Sequence, residues 1–84
     1  NNREPYYPLE ALQSGLEGRV VLRVKIATNG RAAEIAVEKS SGLDSFDESA
    51  ISAVRDWEFS PAKRNGLAVA HEVLIPVRFR IRRG

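Results

Sequence analysis

The residues able to do chemistry are few in this chain, and their spacing points away from catalysis. His71 is the only histidine and cysteine is absent, which removes thiolate chemistry, disulfides and the usual structural zinc sites. His71 also falls within an alternating apolar run, where a hydrogen-bonded structural histidine is expected. A Ser-His-Asp arrangement has no support either, because Asp44, Asp47 and Asp56 stand where a helix start or solvent exposure explains them. The acid pairs Asp47-Glu48 and Asp56/Glu58 read the same way. Gly15, Gly18, Gly30, Gly42 and Gly66 mark turns and caps, since no glycine cluster leads from a strand into a helix with a Lys-Ser/Thr pair. No catalytic residue, metal ligand or cofactor site is expected.

Charge is what remains. The net charge is only +2, yet the last seven residues, Arg78-Phe79-Arg80-Ile81-Arg82-Arg83-Gly84, hold four arginines. Such a stripe suits phosphates, anionic lipid or an acidic protein partner, or is simply a solvated strand face with a frayed tail.

The elements that carry these residues follow from periodicity. Residues 1–8 contain two prolines and two tyrosines and read as an extended lead-in, because proline fixes φ and biases its predecessor away from helix. Leu9 to Gln13 can form a short helix that stops near Gly15. From Arg19 to Ile26, Val20, Leu22, Val24 and Ile26 alternate with Arg19, Val21, Arg23 and Lys25, the mark of a half-buried strand. After Asn29-Gly30, a strong signal for a two-residue type I′ hairpin, the alternation resumes. Register then places Ile26 opposite Ala33, Val24 opposite Ile35 and Leu22 opposite Val37. On the other face Lys25 meets Glu34, with Arg23 diagonal to Glu34 and Glu38.

Ser40-Ser41-Gly42 ends the second strand, and Ser45-Phe46-Asp47-Glu48 has the form of a capping box. The helix it opens buries Phe46, Ala50, Ile51, Val54 and Trp57, keeps Asp47, Glu48, Ser52, Arg55 and Asp56 polar, and ends by Pro61. Trp57 and Phe59 read as anchors between helix and sheet. Beyond the turn Lys63-Arg64-Asn65-Gly66, a third strand runs from Val69 to Ile81. The fold class expected is α+β: a three-stranded antiparallel sheet in order 2-1-3, with one main helix on one face and a short N-terminal helix.

Pro76 decides where the third strand lies. Without an N–H it cannot serve both sides of a ladder, so the strand belongs at an edge. With Pro76 aimed outward, Leu74, Arg78 and Arg80 present their main chain to the open edge, while Val73, Ile75 and Val77 bond to the first strand. An open edge is either blunted or used by a partner.

An 84-residue chain holds one domain, burying only about 60 % of its unfolded surface. No stretch approaches the roughly 20 apolar residues needed to cross a bilayer. Starting at Asn1, it reads as a fragment of a longer protein.

Taken in order, Tyr7-Pro8, Gly15, Glu17-Gly18, Asn29-Gly30, Ser40-Ser41-Gly42, Phe46-Asp47 with Ala50, Trp57-x-Phe59-x-Pro61-Ala62, Gly66 and Pro76-Val77-x-Phe79 resemble the TonB C-terminal domain family. The resemblance runs from about Tyr7 to Ile81. It implies that residues 1–6 end a periplasmic linker and that residues 7–84 are the domain. It further implies an inner-membrane protein with a single N-terminal transmembrane helix, driven by ExbB and ExbD through its missing N-terminal part. Such proteins bind the TonB box of outer-membrane transporters for siderophore, haem or cobalamin uptake, by adding it as a strand to the last sheet strand. That strand corresponds here to Val73, Leu74, Ile75, Pro76, Val77, Arg78, Phe79 and Arg80, with Glu4, Pro5 and Tyr6 as a second contact. Glu10 stands where a basic residue can occur in relatives, and Glu58 is acidic where the family position between Trp and Phe is often basic.

Three other readings compete. A TolA-like envelope scaffold would use the same fold without driving transport. A nucleic-acid-binding sheet lacks exposed aromatics among its arginines, because Phe79 falls on the apolar face, so no nucleic-acid partner is expected. Homodimerisation through the open third strand is a separate expectation.

Overall fold

The structure, a computed structural model, describes residues 2–82. Of the basic tail, Arg83 and Gly84 lie outside the described residues, as does Asn1 of the lead-in. The chain forms helix α1 (Leu9–Gln13), strands β1 (Gly18–Ile26) and β2 (Ala32–Lys39), helix α2 (Asp44–Arg55), and strands β3 (Ala62–Arg64), β4 (Leu67–Val69) and β5 (His71–Phe79).

Strict alternation makes β1 the centre of the main sheet, whose order is β2-β1-β5. Val20, Leu22, Val24 and Ile26 are all at most 2 % exposed. They face α2, which lies across β1 and β2 and contributes Phe46, Ala50, Ala53 and Val54 to the core. The expected α+β layer and strand order are both present.

The hairpin differs from its expected form at one end. Gly30 donates to the Ala27 carbonyl (2.9 Å) and Ala27 donates to that of Arg31 (2.9 Å), and only Gly30, at φ +83°, has positive φ. This is a three-residue loop with a bulge, not a type I′ turn. Ile26 therefore pairs with Ala32 instead of Ala33, while Val24–Ile35, Leu22–Val37 and Lys25–Glu34 pair as expected. The reason lies in Gly30's surroundings: a Cβ there would sit 2.3 Å from the Phe59 carbonyl oxygen, so the chain passes too closely for any other turn residue. The type I′ turn occurs instead at Asn65-Gly66, where φ is +53° and +81° and the two-residue loop joins β3 to β4.

That small hairpin also shortens the third strand. Leu67–Val69 pairs with Ala62–Arg64, since β1 ends at Ile26, already opposite His71, and has nothing further to offer. His71 itself departs from expectation, for its buried Nδ1 has no hydrogen-bond partner; its cross-strand neighbour is the apolar Ile26.

The capping box does not form. Asp44 opens α2 with Leu43 at the cap and no side-chain cap bond, so Ser45 already lies two positions past the cap, inside the helix. Asp47, expected on the polar face, is buried and turns back to the preceding bend. Its carboxylate accepts from the Ser40 hydroxyl, from the Ser41 hydroxyl (2.7 Å) and from the Ser41 N–H (3.0 Å). Burial pushes its pKa up, but these three donors outweigh that and hold the carboxyl below its ordinary range.

Candidate functional site

β5 is the outer strand of the sheet and pairs along one side only, with Val21 opposite Pro76 and Gly18 opposite Phe79. Its side chains alternate. Val77 and Phe79 are buried, Val73 and Ile75 are half-buried, and Leu74 (58 % exposed), Pro76, Arg78 and Arg80 are open to solvent. The side chains of Val77 and Phe79, turned into the core, are thus unavailable to a partner at this edge.

The end of β5 is fixed by an aromatic cluster. Phe46 stacks on Phe79 with centroids 4.4 Å apart, and Tyr7 meets both edge-on at 5.6 and 5.8 Å. The Tyr7 hydroxyl donates to the Leu16 carbonyl, and beyond the strand Ile81 N–H donates to Glu17 (2.8 Å). Proline at position 8, itself buried, sets the chain direction that delivers Tyr7 into this cluster.

The lead-in is held along α2. Asn2 clamps the main chain of Glu58 from both sides, accepting from its N–H (2.8 Å) and donating to its carbonyl (3.2 Å). Arg3 pairs with Asp56 (3.2 Å) and its carbonyl accepts from the Trp57 indole (2.7 Å). The Ser49 hydroxyl donates to the Tyr6 carbonyl. Trp57 therefore anchors the lead-in as well as packing on the core.

This arrangement brings Glu4 and Pro5 to the end of β5. Together with Tyr7, Leu12 and residues 78–82 they line an open groove of about 700 Å³. Tyr6 is not part of it; the residue is 60 % exposed. Sequence reasoning did not place Tyr7, Leu12 or Ile81 in the site, although Tyr7-Pro8 marks the fixed point. Arginine is frequent along the rim, and the ion pairs among the described residues, Arg3–Asp56, Arg23–Glu38 and Lys25–Glu34, include none of Arg19, Arg78, Arg80 or Arg82. The site can offer an unpaired main-chain edge, an apolar floor and positive charge. Among the described residues no group of three or more His, Cys, Asp or Glu is placed to hold a metal ion.

The family model for the Gram-negative bacterial TonB protein C-terminal matches residues 3–81. Protein tonB2 of Pseudomonas aeruginosa is 42 % identical over 81 residues, 96 % of this chain and 30 % of that protein. Protein TonB of Vibrio cholerae is 36 % identical over 78 residues, 93 % of this chain and 32 % of that protein. The chain thus spans about a third of the length of the curated relatives it matches. The solution NMR structure of a Pseudomonas aeruginosa TonB CTD aligns with a TM-score of 0.84 at 31 % identity, covering 100 % of this chain and 85 % of that one.

Proposed function

This chain belongs to the TonB C-terminal family, and from that premise we propose that its β5 edge receives the TonB box of an outer-membrane transporter as an added strand. The observation that carries this reading is the one-sided pairing of β5 beside a groove built by the lead-in. Pro76 fits it: opposite Val21 it occupies a pair that exchanges no hydrogen bond, so Leu74 and Arg78, two residues away on either side, turn their main chain outward. Val73, Ile75 and Val77 then bond to β1. Val73 through Arg80 supply the edge, and Glu4, Pro5 and Tyr6 a second contact.

Main-chain pairing gives affinity that tolerates sequence, with side-chain specificity added by alternate positions. A strand loaded along its length shares force over several bonds, which suits an energy transducer that pulls on its partner. The domain works in the periplasm, tethered through residues N-terminal to it to an inner-membrane anchor that ExbB and ExbD drive by the proton gradient. Uptake of iron-siderophore, haem or similar ligands is the process served. The role is binding and transmission, without catalysis.

The chain has no cysteine, so single-cysteine cross-linking is clean. Leu74→Cys and Arg80→Cys should form disulfides with cysteines placed at alternate positions of a transporter's box, whereas Ser52→Cys on the exposed side of α2 should not. Equal trapping at Ser52 would overturn the proposal.

A further inference from the structure

The sheet face turned away from α2 is charged toward both ends, with Val21, Leu74 and Pro76 between them, and only one end is neutralised. Toward the hairpin, Lys25 lies between Glu34 on β2 and Glu72 on β5, bonding the former at 3.1 Å, and Arg23 reaches Glu38. Toward the other end Arg19 and Arg78 stand directly opposite each other across β1 and β5, both exposed. Like charges in that relation weaken strand pairing. The position makes it worse: two residues from the Val21–Pro76 pair, they share its non-hydrogen-bonded type, in which side chains approach most closely. No carboxylate among the described residues pairs with either one. Arg80 and Arg82 continue the same spacing along the chain.

Side chains two apart on a strand share a face. A segment added beside β5 therefore lays every second residue next to Arg78 and Arg80 on this open face. Building on the strand-addition reading, we propose that the segment is acidic in a specific pattern: two carboxylates two residues apart, set against Arg78 and Arg80. The Arg19–Arg78 opposition is then an anion-selecting device, kept at a cost to the free domain and relieved when the carboxylates arrive. Polyanions satisfy the charge, but not the requirement for an extended main chain at the edge.

The test compares two Val/Thr-rich extended peptides, one with aspartates two residues apart and one with asparagines in their place, by calorimetric titration of the domain at low and high salt. The aspartate peptide should bind about tenfold tighter at low salt, and the gap should close as salt screens it. Arg78→Gln should narrow the gap to about threefold, half of its free energy, and Arg78→Gln with Arg80→Gln should abolish it, yet Arg78→Gln should raise the melting temperature of the free domain by about 1–5 °C; Arg19→Gln should raise it likewise. A purely structural arginine would not couple those two changes. Equal binding of both peptides, a melting temperature lowered by Arg78→Gln, or polyphosphate competing while aspartate confers no gain would each overturn this inference and leave strand addition standing. If neither peptide binds the β5 edge, the strand-addition reading itself fails, and the inference with it.

Discussion

The Phe59 N–H donates to the Gly30 carbonyl at 2.8 Å, and a Cβ on Gly30 would come within 2.3 Å of the Phe59 carbonyl oxygen. One tight crossing thus joins the β1–β2 turn to the segment after α2, the same segment that Asn2 and Arg3 grip. Gly30→Ala adds a backbone clash to the cost of positive φ, about 1–2 kcal/mol for the φ alone. Its loss in urea unfolding should clearly exceed that of Gly66→Ala, where φ is also positive but nothing lies within 4 Å.

Asp47 gives the domain an acid limit. Its carboxyl titrates below the ordinary value when folded, so it contributes stability that is fully present above about pH 3.9, the unfolded value, and is lost as pH falls through the folded value. Asp47→Asn should cost about 1–3 kcal/mol at neutral pH, because the serine donors lose a charged acceptor. It should also flatten the pH dependence of unfolding below pH 4. An unchanged slope there would show that other carboxylates set the acid limit.

The lead-in clamp predicts a local effect with little global cost. Asn2→Ala removes both bonds to Glu58 and should cost about 1 kcal/mol at most, since the site is exposed. Amide exchange at Glu58 should quicken and Trp57 fluorescence should shift to the red, while β1 amides keep their protection. Uniform quickening across the sheet would mean that the clamp is part of the global fold.

The aromatic cluster carries far more. Phe46 is 1 % exposed and touches both Tyr7 and Phe79, so Phe46→Ala should cost about 3–5 kcal/mol. For a small domain that is a large share of the whole stability, and the groove should lose its shape with it. Far- and near-ultraviolet circular dichroism would show whether the variant still melts as one unit.

What was legible in the sequence was whatever a short-range pattern dictates. Alternation dictates β1 and its buried face, and Pro76, lacking an N–H, dictates that the third strand lies at the edge. The dipeptide Asn-Gly was less informative, because it appears twice and makes two different turns: the approach of Phe59 selects the bulged loop at Gly30, and the two-residue register of β3 and β4 selects type I′ at Asn65. Asp47 misled for a related reason. Its place in the helix pattern puts it on the polar face, but two serines brought back by the Gly42 bend supply donors that draw its carboxylate inward. The lead-in clamp was hidden because ordinary residues 43 to 56 positions apart make it, and no local periodicity announces such pairs.

Docking of a partner's main chain on β5 is the step on which the proposed function turns. Amide hydrogen exchange of the isotopically labelled domain, with and without a saturating TonB-box peptide, tests it most directly. Exchange should slow strongly at Leu74 and Arg78, change little at Val73, Ile75 and Val77, which face β1, and stay unchanged at Glu58. Unchanged exchange at Leu74 and Arg78 while the peptide is bound, or protection centred on residues 56–59, would contradict it.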